Sequence, residues 1–544
     1  MLKIQNLTID FNGNKAIDNF SINIESGKIL GIVGESGSGK SMTALSIIGL
    51  LPENANVSGS ILFGKNQEND LLKLTDKEMQ NIRGNRISMI FQDPLSAFNP
   101  SQTIGKQLSN TIKIHQSLKK DKRKELILNL FNSVKLPAER VYKSYPFQLS
   151  GGQRQRALIA MSLANNPTLL IADEPTTALD VTVQKEIVDL LKTLTKERNL
   201  TMVFISHDLA LVSQIADYIA VLYKGVCVEQ GNVKEVISNP KNDYTKALLL
   251  CKPSIETEKT RLPEVSDIME NKSFQKPIEV QKPINIYLSQ LIKVENMIVD
   301  YPVNQGREKV RAINNISFEI FEGETLGLVG ESGCGKTTLS RTLLNLIKTT
   351  QGSIIFKGSP ISLIAKNRLF WSKKVQIVFQ DPYSSLNPVY RVGECLSETF
   401  RIHFPQKTSK EIRNCVIQLL EKVGLDSNYF NRLPSELSGG QRQRVVIARA
   451  LIPNPELLIC DEAVSALDVS VQSRILNLLN DLKNELKLTY LFISHDLAVV
   501  KYMSDRLLVM QNGIIVESGN PDSIYKTPKN EYTAKLIGSI CDFC

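Results

Sequence analysis

Residues 28–41 read KILGIVGESGSGKS, and residues 324–337 read ETLGLVGESGCGKT. Each is an apolar run that breaks into a glycine-rich turn and then opens a segment with helical spacing. Gly34-Glu35-Ser36-Gly37-Ser38-Gly39-Lys40-Ser41 and Gly330-Glu331-Ser332-Gly333-Cys334-Gly335-Lys336-Thr337 both fit the phosphate-loop spacing G-x-x-x-x-G-K-[ST]. The glycines let backbone N–H groups turn inward around an anion, and the following helix adds its positive N-terminal end. Lys40 and Lys336 are placed to reach the outer phosphates of a nucleotide. The hydroxyls of Ser41 and Thr337 suit Mg²⁺, a hard ion that prefers oxygen.

Two further apolar runs end in acids: Leu169-Leu170-Ile171-Ala172-Asp173-Glu174 and Leu457-Leu458-Ile459-Cys460-Asp461-Glu462. A carboxylate at the end of a buried strand is costly without a partner. Beside a phosphate loop, Asp173 and Asp461 are expected to hold Mg²⁺, and Glu174 and Glu462 to orient and polarise the attacking water.

These pairs belong to a wider duplication. ISHDLA occurs at 205 and 493, LSGGQRQR at 149 and 437, and FQDP at 91 and 379, always 288 residues apart. The tails match too: Asp243-Tyr244-Thr245 pairs with Glu531-Tyr532-Thr533 at the same offset. Lys40 and Lys336 lie 296 apart, so the first copy has eight additional residues between its phosphate loop and FQDP. Such a period is too long for a solenoid unit; each copy is a domain of about 250 residues, a plausible single core. Apolar runs such as KILGIVG and TLLIAD alternate with amphipathic stretches such as VTVQKEIVDLLKTL (181–194), which predicts α/β domains with a mostly parallel sheet. The expected organisation is domain 1 over 1–252, a polar, proline-punctuated linker over 253–290, and domain 2 over 291–544.

Composition agrees with ordinary globular domains: of 544 residues, 42% are apolar and 22% charged. Mean hydropathy is -0.10, and no run approaches the ~18 apolar residues that span a bilayer. The opening MLKIQNLTID lacks an apolar signal core. These features predict a cytoplasmic chain, or one held at a membrane by partners. The net charge of +9 points only weakly to nucleic acid or anionic lipid. Eight scattered cysteines form no disulfide framework.

Together with LSGGQ (149–153 and 437–441), these motifs resemble the ATP-binding cassette (ABC) family. The resemblance implies tandem P-loop nucleotide-binding domains with helical signature subdomains, and ATP and Mg²⁺ as cofactors. It also implies a head-to-tail pair of cassettes. ATP on Lys40 would be capped by Ser438, Gly439, Gly440 and Gln441, and ATP on Lys336 by Ser150, Gly151, Gly152 and Gln153. Taken alone, LSGG is also an ordinary helix cap. Gln92 and Gln380 match the family's Q-loop, which contacts Mg²⁺ and senses the membrane partner. Asp180 and Asp468 match the D-loop, and His207 and His495 match the switch histidine. Phe11 and Tyr301 lie where the family stacks an aromatic on adenine. Met42 stands where the second copy has Thr338, a hydroxyl that helps to bind phosphate, so modest asymmetry between two hydrolytic sites is expected.

FQDPLSAFNP (91–100), FQDPYSSLNP (379–388), DEPTTALDVTVQ (173–184) and DEAVSALDVSVQ (461–472) resemble the oligopeptide/dipeptide/nickel importer branch, here with its two ATPase subunits fused. Fused forms in that branch serve peptide, glutathione and microcin uptake. The resemblance implies two integral-membrane permease subunits, an extracytoplasmic substrate-binding protein, and a peripheral place on the cytoplasmic face of the membrane. The tails depart from the branch's HPYT. Cys251 stands alone where relatives carry a cluster-binding cysteine set, and Cys541 and Cys544 form a terminal C-x-x-C that falls short of a tetrahedral metal set. The alternative reading is a tandem cassette working on ribosomes or nucleic acid; the linker lacks the long charged helix of that class.

Overall fold

The computed structural model describes residues 1–64, 69–177, 179–257, 259–270, 289–303, 308–465 and 467–540. The expected C-x-x-C at Cys541 and Cys544, and residues 271–288 of the expected linker, lie outside them. The described residues form two compact units, one of 1–250 and 265–270, the other of 251–264 and 289–540.

The first unit has ten strands: β1 Leu2–Phe11, β2 Asn14–Ile24, β3 Ile29–Val33, β4 Asn56–Phe63, β5 Asn69–Asp70, β6 Ile87–Ile90, β7 Leu169–Asp173, β8 Thr201–Ser206, β9 Tyr218–Tyr223 and β10 Val226–Asn232. They form a four-stranded sheet, β2-β1-β4-β5, and a six-stranded sheet, β10-β9-β3-β8-β7-β6. The small sheet is antiparallel. In β1 the side chains of Leu2, Ile4, Leu7 and Ile9 are buried, a half-covered alternation broken between Ile4 and Leu7, the first of three register shifts against β2. The large sheet is parallel through β6, β7, β8, β3 and β9, with only β10 antiparallel. Every side chain of β3, β7 and β8 is buried, which is why these strands read as continuous apolar runs. A core containing Ile4, Phe20, Ile32, Ala44, Ile171 and Ile205 joins the two sheets and the helix Lys40–Ile47.

A helical layer follows β6. Its helices Ile104–His115 and Lys120–Ser133 bury Leu108, Ile112, Ile127 and Phe131, and the helix Gly151–Ser162 carries the LSGGQ motif. The stretch at 181–194 lies in the helix Val181–Arg198, capped by the Asp180 carboxylate on the Val183 N–H and ended by Asn199 at φ 47°.

The second unit repeats this plan with β11 Gln290–Val303, β12 Glu308–Phe321, β13 Thr325–Val329, β14 Gln351–Phe356, β15 Ser359–Pro360, β16 Val375–Val378, β17 Leu457–Asp461, β18 Thr489–Ile493, β19 Arg506–Gln511 and β20 Ile514–Gly519. The sheet orders are β12-β11-β14-β15 and β16-β17-β18-β13-β19-β20. Each copy is thus the mixed, mostly parallel α/β domain with a helical subdomain that the alternation predicts.

The stretch expected as linker differs in its first part. Cys251–Glu264 packs with the second unit. The physical reason lies in two apolar residues within the polar run: Leu262 is buried in the second unit's core, and Ile255 packs against it.

Candidate functional site

In each unit the parallel strands bring their C-terminal ends to one edge of the large sheet, where α/β folds bind ligands. In the first unit β3 leads into the phosphate loop, β7 ends at Asp173, β8 leads to His207, and β6 leads to Gln92. Pairing of Val33 with Ser206, Asp173 with Ile205, and Ile90 with Ala172 aligns these ends. The second unit does the same through Leu328 with Ile493, Asp461 with Ile493, and Val378 with Cys460.

The phosphate loops fold as their glycines allow. Gly39 and Gly335 precede the loop helices at φ 98° and 113°. A Cβ on Gly39 would fall 2.3 Å from Ile17 Cδ1 and 2.4 Å from the Ala16 carbonyl, so both conformation and space demand glycine. At Gly37 and Gly333 a Cβ would meet nothing within 4 Å, which marks the open side of the loop. Lys40 Nζ donates to the carbonyls of Gly34 (2.7 Å) and Glu35 (2.8 Å). Lys336 Nζ donates to those of Gly330 (2.7 Å) and Glu331 (3.0 Å). Both ammonium groups are thus buried inside the loops, where phosphate oxygens would find them. Ser38 Oγ is buried with no partner, an unmet polar atom that suits an anionic ligand. These features fit a bound nucleotide phosphate.

The carboxylates lie beside the loops. Ser41 Oγ donates to Asp173 Oδ1 at 3.3 Å, so hydroxyl and carboxylate oxygens share one place, as Mg²⁺ requires. In the second unit Thr337, Gln380 and Asp461 line a single cleft of ≈ 490 Å³. There the donor to Asp461 Oδ2 is Ser340 Oγ, at 3.1 Å. Sequence reasoning missed Ser340 because its counterpart in the first copy is Ala44. Burial pushes both Asp173 and Asp461 above the ordinary carboxylate range, opposed by these hydroxyl bonds and by Lys40 or Lys336.

Glu174 and Glu462 adopt left-handed backbone, at φ 45° and 52°. For a residue with a side chain that conformation costs about 1–2 kcal/mol, and it is held by their N–H groups donating to Ile205 (3.0 Å) and Ile493 (2.8 Å) carbonyls. The turn aims each carboxylate across the sheet edge. Glu174 Oε2 accepts from Gln92 Nε2 (3.1 Å) and Thr177 Oγ1 (2.9 Å), and faces His207 Nδ1 at 3.3 Å. Glu462 Oε2 accepts from Gln380 Nε2 (2.6 Å) and faces His495 Nδ1 at 3.5 Å. Burial alone would raise the Glu174 pKa, but His207, Thr177 and Lys40 outweigh it and hold the group at about 2. Glu462 is also depressed, against burial, by His495 and Lys336. Thr177 was not singled out in the sequence. Its counterpart Ser465 bonds the Glu462 main-chain carbonyl instead, so duplication gave no signal.

The LSGGQ segments form the N-termini of the helices Gly151–Ser162 and Gly439–Leu451. Ser150 and Ser438 cap them reciprocally with Gln153 and Gln441. A Cβ on Gly152 would lie 2.8 Å from Val183, and one on Gly440 2.2 Å from Val471. The motif therefore also packs against the helix that Asp180 or Asp468 begins. Near the small sheet, Tyr301 Oη and Thr338 Oγ1 are 3.4 Å apart, whereas Phe11 and Met42 both pack against the first unit's core. No helix among the described residues is long and apolar enough to cross a membrane.

Residues 17–177 and 313–465 match the family described as ABC transporter, and residues 228–276 match the oligopeptide/dipeptide transporter C-terminal region. The glutathione import ATP-binding protein GsiA of Escherichia coli (strain K12) is 40% identical over 560 residues, covering 99% of this chain and 89% of that one. The protein of the same name from Shigella flexneri aligns with the same identity and coverage. Among solved structures, cbiO1 from Clostridium perfringens, part of the ABC transporter complex cbiONQ, aligns at 30% identity over 44% of this chain and 91% of that chain, with a TM-score of 0.39.

Proposed function

The chain belongs to the ABC transporter family, and from that premise we propose that it powers import of peptide-like molecules through two ATP sites built on Lys40 and Lys336. The observation that carries this reading is the twofold cluster of carboxylate, glutamine and histidine at the phosphate-loop edge.

The chain binds and hydrolyses ATP, as its family does. In the proposed sites Lys40 and Lys336 leave their loop carbonyls for the outer phosphates, and loop N–H groups wrap the remaining oxygens. Ser41 with Asp173, and Thr337 with Asp461, would hold Mg²⁺, which would supply charge neutralisation on the phosphates. Glu174 and Glu462 hold the attacking water through their oxygens. With a pKa of about 2, Glu174 stays ionised and orients and polarises that water. Gln92 and Gln380, bonded to those carboxylates, connect each site to the surface segments that follow them. Ser150 and Ser438, with their glycines, would complete the opposite cassette's site in a head-to-tail pair.

The proposed partners are two permease subunits in the membrane and a substrate-binding protein outside it, with this chain at the cytoplasmic face. The glutathione importer name of the relatives supports a small peptide-like cargo. Pull-down of tagged protein from detergent-solubilised membranes tests the reading. Two multi-span permeases should co-purify; ribosomal proteins or nucleic acid without a permease would replace it.

A further inference from the structure

The segment after the first unit's helix Asp243–Leu250 continues as a strap on the second unit. It lies across the helices Val469–Leu486 and Leu497–Met503. Leu262 is 3% exposed and enters the second unit's core. Its backbone is gripped at both ends by one side chain: Leu262 N–H donates to Asn477 Oδ1 at 3.0 Å, and Asn477 Nδ2 donates to Leu262 O at 2.9 Å. Asn477 is itself 2% exposed. Tyr502 Oη donates to the Thr260 carbonyl at 2.8 Å. Arg261 forks onto both oxygens of Asp481, at 3.1 and 2.9 Å, and Lys259 pairs with Asp505 at 3.5 Å. Buried apolar anchor, satisfied backbone groups and a charged rim are the parts of a specific interface.

The receiving face is peculiar to the second copy. At the offset of 288, Asn477, Asp481 and Tyr502 correspond to Asp189, Thr193 and Gln214. Aspartate at 189 lacks the amide donor for a carbonyl, threonine cannot hold a guanidinium fork, and Gln214 has no ring to cover the strap. A face that differs between otherwise duplicated domains, and that matches the strap group by group, selects one copy.

We propose that residues 259–264 are an intramolecular docking peptide, which keeps the second cassette attached to the first without help from nucleotide or from the connecting residues 271–288. A docking contact already joined to its target acts at high effective concentration, so the pair would remain together between hydrolysis cycles.

The full-length chain with a protease recognition sequence inserted between Glu279 and Val280 tests this. The protein is cut to completion in nucleotide-free, EDTA-containing buffer and passed over a sizing column. The two fragments should co-elute. Leu262→Asp should weaken their association at least tenfold. The variant Arg261→Glu, which alters only the exposed pair with Asp481 on the strap's rim, should also weaken it, with the uncut protein's melting temperature unchanged. Separation of the unsubstituted fragments would overturn the proposal, and so would co-elution of both variants' fragments.

Discussion

The hydroxyl of Tyr244 accepts the backbone N–H of Glu35 at 3.2 Å, and that of Tyr532 accepts the N–H of Glu331 at 2.9 Å. The tyrosines come from the helices Asp243–Leu250 and Glu531–Ile537, and each reaches the second residue of its phosphate loop. Tyr244 is fully buried, its ring 4.3 Å from that of Tyr223. The duplicated tails therefore brace the loops from behind. Tyr244→Phe and Tyr532→Phe keep the packing but remove one hydrogen bond, worth about 1 kcal/mol. Each should weaken nucleotide binding at its own site about fivefold, with little change in melting temperature. Titration with a fluorescent ATP analogue checks this.

Ser340 on Asp461 gives the second site a donor that the first obtains from Ser41. A hydrogen bond to a charged group contributes about 1.5–3 kcal/mol. Ser340→Ala should raise the Mg²⁺ concentration for half-maximal ATPase activity roughly tenfold at the second site. Ala44→Ser in the first copy should shift its site far less, because Asp173 already has a hydroxyl partner. Mg²⁺ titrations in backgrounds with the other site inactivated separate the two effects.

Of the second glycines of the two LSGGQ motifs, Gly152 and Gly440, the latter is the tighter. Its added methyl would sit 2.2 Å from Val471 Cγ1, against 2.8 Å between Gly152 and Val183. Overpacking of this kind costs about 1–3 kcal/mol. Gly440→Ala should destabilise its domain more than Gly152→Ala does. Urea denaturation of the two variants gives the order directly.

Asp505 ties together Lys483 at 2.9 Å, Lys259 at 3.5 Å and the Thr325 N–H at 2.9 Å. Burial raises its pKa, but Lys483 and Lys259 outweigh burial and hold the carboxylate below its ordinary value of 3.8. Its stabilising contribution is therefore complete above the unfolded value and disappears as pH falls through the depressed one. Asp505→Asn should cost about 3 kcal/mol at neutral pH. The gap to the unsubstituted protein should close as the solution is acidified below pH 3.8. Urea midpoints across pH 7 to 3 measure it.

Much of the site was legible because it is duplicated: the phosphate loops, Asp173 and Asp461, Glu174 and Glu462, and the two histidines recur within matching motifs. The sheet was legible because β3, β7 and β8 are buried on both faces and so read as unbroken apolar runs. What was hidden lay where the copies differ. Ser340 stands at the position of Ala44 in the other copy, and Thr177 at that of Ser465. The strap's composition reads as linker, because one buried leucine among charges leaves no periodic pattern. Its fit depends on Asn477, Asp481 and Tyr502, more than 200 residues further along the chain. The tail tyrosines were visible as a repeat, but only the fold shows that they reach the phosphate loops.

The proposed function requires the two clusters around Glu174 and Glu462 to be both hydrolytic. Steady-state ATPase activity of Glu174→Gln, Glu462→Gln and the double variant, each confirmed to bind ATP, tests it most directly. The substituted amide keeps the size of the side chain but loses the charge that His207 or His495 faces. Each single variant should lose at least half of the activity, and the double variant should fall at least a hundredfold, about 2.7 kcal/mol of transition-state stabilisation. Full activity in either single variant, or substantial activity in the double, would contradict the account.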